Sequence, residues 1–168
     1  MSNLKDIKDF SNHESHQLDR FIEFSLGTED YAIPLLMVRE VISIPETTPI
    51  PKAPKHFIGL MNLRGQVISI VDLRNKLNIK ATDSTLDNAV IIIDFEGVNI
   101  GIIVDSINKV LAFAKEDIQE MPELQSQVNS DYILGVYKKE DGLTVLLDIA
   151  KCLDVKDYNV LKAVSRAA

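Results

Sequence analysis

Apolar and polar residues alternate along Phe21–Leu26, with Ile22, Phe24 and Leu26 on one side and Glu23 and Ser25 on the other. That period of two predicts a half-buried β-strand. Gly27–Asp30 reads as a turn and Tyr31–Ile33 as the returning strand of a hairpin. Leu35–Ile42 mixes β-branched and long side chains and stays open between short helix and strand. Pro45, Pro49, Pro51 and Pro54 forbid a regular helix and predict an extended connector. Ile58–Leu60 and Gln66–Val71 are the next apolar segments, separated by Asn62-Leu63-Arg64-Gly65. Asp72 then stands where a helix N-cap would, ahead of Leu73–Leu77, and Asp148 stands likewise before Ile149–Leu153. Lys80–Asn88 is a polar link. Ala89–Phe95 and Val98–Asp105, joined at Glu96-Gly97, form the most apolar hairpin of the chain. Glu116–Ser130 is polar and contains Pro122, and Tyr137–Leu147 predicts a last hairpin turning at Asp141-Gly142.

The pattern occurs twice. Arg20–Ile42 overlays Ala89–Leu111 without a gap, placing Leu26 on Phe95, Ile33 on Ile102 and Val41 on Val110. His56–Leu77 overlays Tyr132–Leu153, placing Gly59 on Gly135, Ile70 on Leu146 and Asp72 on Asp148. A doubled unit of closely spaced short strands argues for two small β-barrels, and a repeat carrying no repeated reactive group argues for binding rather than chemistry. The expected division is a flexible tail over residues 1–19, a first barrel over 20–85, a second over 86–155 and a C-terminal helix over 156–168. Neither barrel is large enough for a robust core of its own, so the two are expected to share one apolar interface.

Composition narrows the function classes. An apolar content of 46% belongs to a folded globular chain. The polar N-terminus lacks the apolar core of a signal peptide, and no run approaches the roughly 20 apolar residues that span a bilayer. The chain therefore reads as cytoplasmic. A net charge of −7 repels phosphate backbones and argues against nucleic-acid binding. A single cysteine, Cys152, excludes intramolecular disulfides and thiolate metal cages.

Candidate chemistry is thin. His13 and His16 could share a helical face, but in a tail of this composition they do not make a metal site. Cys152, beside Ile149 and Leu153, reads as a small buried hydrophobe. Asp72 and Asp148 are related by the repeat, so both act as caps rather than as a differentiated acid and base. There is no glycine-rich phosphate loop. No catalytic set, metal or cofactor is expected.

Pro54, then Gly59, then Asn62-Leu63-Arg64-Gly65, an apolar strand and Asp72-Leu73-Arg74 together resemble the signature of the CheW family. The resemblance extends from Phe21 to about Leu153 through Leu26-Gly27, Tyr31, the Val38–Val41 segment, Gly101, Val104-Asp105 and Val110. It implies a mainly β fold of two five-stranded SH3-like β-barrels packed around a shared apolar core, with a short C-terminal helix. It also implies a non-enzymatic adaptor that couples the cytoplasmic tips of chemoreceptors to the regulatory domain of the histidine kinase CheA, with contacts between copies of the adaptor inside receptor arrays. A counterpart in a related chemosensory pathway, such as pilus-based motility, and a detached kinase regulatory domain are the alternatives.

The receptor-side residues implied are Arg64 with Asn62, Leu63 and Gly65, and Val38, Glu40, Ala89 and Val90. Core roles for the valines and a solvated Glu40 are equally good readings of those residues singly. Arg64 itself has two roles open, contact with the receptor tip or an internal pair with Asp72 or Glu40. Ile33, Pro34, Leu35 and Leu36 are the expected kinase surface. Gly59 and Gly101 are assigned to turn geometry.

Overall fold

The structure, a computed structural model, describes residues 18–80, 87–121 and 128–167. His13, His16, Pro122 and most of the 80–88 link lie outside them. Strands β1 (Asp19–Leu26) and β2 (Glu29–Pro34) form the first hairpin, and β3 (Val38–Ser43) follows a 3-10 turn at Leu35–Met37. Then come β4 (Phe57–Leu63), β5 (Gln66–Asp72) and helix α1 (Leu73–Leu77). The second copy supplies β6 (Ala89–Phe95), β7 (Val98–Val104), β8 (Ser106–Phe113), the two-residue β9 (Ile118–Gln119), β10 (Ile133–Lys139), β11 (Gly142–Leu147) and α2 (Ile149–Cys152). Helix α3 (Val155–Ala167) ends the chain. The fold is mainly β with a short C-terminal helix, as expected.

The division of strands differs from the division of the repeat. One sheet runs β8-β1-β2-β11-β10-β9 and the other β3-β6-β7-β5-β4. Each copy has therefore lent its first hairpin to the other. β1-β2 sits among second-copy strands, with β2 parallel to β11, and β6-β7 sits among first-copy strands, with β7 parallel to β5. The boundary expected at residues 85 and 86 is not a boundary between sheets. The first sheet also has six strands rather than five, because β9 adds an edge to β10.

The exchange explains the apolar runs. Along β6, Val90 and Ile92 face Ile68, Ile70 and Met61 inside the five-stranded sheet, while Ile91 and Ile93 face the large cluster shared between the sheets. That cluster joins Phe24, Leu26, Tyr31 and Ile33 of the six-stranded sheet to Ile100, Ile102 and Val104 of the other. A third cluster, Phe21, Ala32, Leu111, Phe113 and Leu146, fills the inside of the six-stranded sheet. Strands buried on both faces need apolar residues at successive positions. The same burial corrects the expectation of a half-exposed first strand, since Glu23 is buried. It accepts hydrogen bonds from Thr144 Oγ1 at 2.6 Å and Lys139 Nζ at 3.2 Å.

Asp72 accepts from the backbone N–H groups of Arg74 and Asn75, and Asp148 from that of Lys151, so both cap their helices. The last hairpin turns at Glu140-Asp141 rather than Asp141-Gly142, because Lys139 pairs with Gly142.

Candidate functional site

The Asn62–Gly65 segment forms the tip of the β4-β5 hairpin. Leu63 pairs with Gln66, leaving Arg64 (φ 50°) and Gly65 (φ 83°) as a two-residue turn in the left-handed region. Such turns match the twist of the flanking strands. Asn62 Oδ1 secures this one by accepting the Gly65 N–H at 2.8 Å. A non-glycine residue here carries a backbone cost, and it aims the Arg64 side chain away from the hairpin toward β3.

Of its two expected internal partners Arg64 takes Glu40, in a pair that leaves the arginine on the surface. Its Nη1 and Nη2 donate to Glu40 Oε1 and Oε2, each at 2.8 Å, a bidentate fork. The pair spans from the β4-β5 hairpin to β3, the opposite edge of that sheet. Thr48 also bonds Leu60 of β4 through backbone hydrogen bonds of 2.8 and 2.7 Å. The Arg64 guanidinium holds the Glu40 carboxyl below the usual carboxylate range, and the carboxylate raises the arginine in turn. Asp72 is committed elsewhere, to its cap and to Arg74, whose Nη1 lies 2.7 Å from Asp105 Oδ1. Asp105 Oδ2 accepts the Gly27 N–H at 2.6 Å, tying α1 to the β1-β2 turn.

The other receptor-side residues divide. Val38 and Ala89 are half-buried against the shared core near this edge. Val90 is fully buried inside the five-stranded sheet, so its side chain offers no contact surface. Gly59 and Gly101 are strand residues, in β4 and β7, rather than turn residues. A Cβ at Gly59 would come within 2.6 Å of the Thr48 carbonyl oxygen, and one at Gly101 within 2.5 Å of Ile70 Cδ1. Both glycines serve close packing.

The expected kinase segment divides too. Ile33 is buried in the shared core and presents nothing to a partner. Pro34 and Leu35 are half-buried, and Leu36 stands fully exposed on the 3-10 turn. With Leu18, Arg20 and Phe21 they line a shallow groove.

Two buried polar networks escaped the sequence reading. Asp157, buried on α3, takes His56 on Oδ1, and Lys76 Nζ (2.7 Å) and the Asp154 N–H (3.0 Å) on Oδ2. The Asp157 N–H in turn donates to Asp154 Oδ1 at 3.0 Å. The Asp154-x-x-Asp157 spacing is a capping-box pattern and was the available signal. Glu23 heads the other network, with Lys139 also donating to Asp30 at 2.8 Å. No local pattern announces it, because its members come from four strands, β1, β2, β10 and β11.

Burial alone would push Lys76 and Lys139 down. The hydrogen bonds and charges of Asp157 and Asp154 on Lys76, and of Asp30 and Glu23 on Lys139, outweigh it and hold both above the usual lysine value. A raised lysine contributes stability in full below its unfolded-state pKa and loses it as pH climbs through the folded value. Urea midpoints should therefore fall as pH rises above about 10.5. A midpoint unchanged through that range would show that these pairs contribute nothing.

Cys152 is buried, and burial first, then the Asp148 charge, pushes its thiol up to about 12, far from a nucleophilic thiolate at neutral pH. Among the described residues no three His, Cys, Asp or Glu side chains gather as metal ligands, and no helix is long and apolar enough to cross a membrane.

Residues 20–157 match the family profile described as CheW-like domain. The chain is 31% identical over 156 residues to the chemotaxis protein CheW of Treponema pallidum, covering 89% of each. It is 31% identical over 131 residues to the chemotaxis protein CheA of Borreliella burgdorferi, covering 77% of this chain and 14% of that one. The crystal structure of the scaffolding protein TtCheW from Thermoanaerobacter tengcongensis superposes with a TM-score of 0.77 at 25% identity, covering 87% of this chain and 94% of that one.

Proposed function

The chain belongs to the CheW-like domain family, and from that premise we propose that it is a non-enzymatic adaptor coupling chemoreceptor tips to the histidine kinase CheA in bacterial chemotaxis. The observation that carries this reading is the relationship to CheW scaffolds across nearly the whole chain, with the Asn62–Gly65 tip intact and locked by Arg64 onto Glu40. An adaptor needs rigid, separate surfaces, and two sheets fused through one core supply them. Asn62, Leu63, Arg64 and Gly65, with Glu40, Val38 and Ala89, form the receptor side. There a helix end of the tip would lay apolar anchors into a groove. Leu36, with Pro34 and Leu35, forms the kinase side. Val90 and Ile33 support these surfaces from beneath. The protein works in the cytoplasm at receptor arrays, turns over no substrate and acts only by changing kinase output when receptor is present.

The match to part of CheA favours one second reading, a detached kinase regulatory domain. Co-purification from native cells separates the two. Recovery of receptor and kinase together supports the adaptor, and recovery of a separate adaptor with kinase fragments supports the alternative.

The Arg64 side chain is 74% exposed, so its pair with Glu40 contributes little to folding. Arg64→Ala should leave the melting temperature nearly unchanged and weaken receptor-tip binding by about tenfold or more. Arg64→Lys, which keeps charge without the planar fork, should restore binding only in part. Full receptor coupling by a folded Arg64→Ala protein removes this residue from the contact surface.

A further inference from the structure

Beside Arg64 lies a second arginine that the family signature does not include. Val38 pairs with Ile93 and Glu40 with Ile92, so Arg39 is the extra residue of a β-bulge at the start of β3. A bulge re-aims side chains that strict alternation would send to opposite faces. Here Arg39 Nη2 lies 2.5 Å from Asp94 Oδ2 at the end of β6.

Both arginines sit at one end of the five-stranded sheet. β5 and β7 run parallel, so the tips that precede them, Arg64-Gly65 and Glu96-Gly97, are neighbours, linked by Asn99 Nδ2 donating to Gln66 Oε1 at 3.1 Å. β3 runs antiparallel to β6 and brings Arg39 to the same end. The cations form the outer layer. The side chains of Arg39 and Arg64 are 60% and 74% exposed, those of Asp94 and Glu40 only 32% and 28%. Each carboxylate is already engaged: Asp94 Oδ1 accepts the Gly97 N–H at 2.9 Å, and both Glu40 oxygens hold Arg64. The third acid of the rim, Glu96, is engaged by the Tyr158 hydroxyl.

We infer that Arg39 is a specificity-determining contact which, with Arg64, forms a two-arginine rim recognising carboxylates on an acidic helical segment of the receptor tip. The inference rests on the adaptor reading above and adds the chemistry of its partner. A guanidinium anchored through one nitrogen keeps the rest of its planar fork for a second carboxylate. At this rim the two guanidiniums stand outside the carboxylates they pair with, so an approaching acidic segment meets the cations first.

The test is titration of the full-length protein with a soluble receptor-tip helical hairpin from the same genome, at low and high salt, with binding to the kinase regulatory domain as the fold control. Arg39→Glu should weaken hairpin binding by about tenfold or more. Asp94→Asn keeps the acceptor for the Gly97 N–H while unmasking Arg39, and should tighten binding a few-fold. Both effects should shrink at high salt, and kinase binding should not change. Wild-type affinity in Arg39→Glu overturns the inference and leaves the adaptor reading intact. Equal weakening by Arg39→Glu and Asp94→Asn also overturns it, because the pair would then only brace the β3-β6 edge. Kinase binding without any hairpin binding by the wild-type protein overturns the adaptor reading and this inference together.

Discussion

Phe24→Ala is expected to lower the free energy of unfolding by about 3–5 kcal/mol and to do so in one transition that melts both sheets. Phe24 is fully buried on β1, near Tyr31 at a ring separation of 6.5 Å, in the cluster joining the two sheets. Truncation leaves a cavity bounded by strands from both copies, which cannot collapse without moving the interface. The hairpin exchange makes the consequence global. β1-β2 is covalently part of the first copy and structurally part of the six-stranded sheet, so neither sheet is complete from one half of the chain. Chemical denaturation followed by two probes, one in each sheet, checks this. Coincident shifts are expected, whereas loss of the six-stranded sheet with the other intact would show that the shared core does not couple them.

Asp157→Ala should cost a similar amount, about 3–5 kcal/mol, because removing one partner of a buried ionic cluster leaves the others uncompensated. The side chain of Asp157 is wholly inaccessible, and it holds Lys76 of α1, His56 just before β4 and the first turn of α3 at once. Without it Lys76, itself 9% exposed, faces only Asp154 at 3.3 Å. The docking of α3 through Leu161, and through Tyr158 edge-on to Phe95, should loosen with it. Urea denaturation gives the magnitude, and amide exchange along α3 gives the location. Asp157→Asn, which keeps an acceptor for the Asp154 N–H but not the charge, should fall between. A loss below about 1 kcal/mol, the range of exposed pairs, would mean that water reaches the cluster and replaces the carboxylate.

The amino-acid sequence by itself determined what depends on near neighbours. Alternation and apolar runs located the β1-β2 and β6-β7 hairpins and strand β5 but not β3, β8 or β9, Asp72 and Asp148 announced the two caps, and Asn62–Gly65 marked a turn whose geometry needs only those four residues and the strands beside them. The family signature was legible for the same reason, being one continuous stretch. What only the tertiary structure decided is which distant segments meet. Because the two copies carry nearly the same strand pattern, each first hairpin satisfies either sheet equally well in sequence terms. The exchange of β1-β2 with β6-β7 therefore leaves no local trace. The burial of Glu23, Ile33 and Val90 follows from that exchange, since it gives those strands a second covered face. The choice of Glu40 over Asp72 by Arg64 was likewise settled by the approach of the β4-β5 tip to β3. Local hydrogen bonds and side-chain periods are written within a few residues, whereas pairing between remote segments is set by how the whole chain can bury its apolar surface at once.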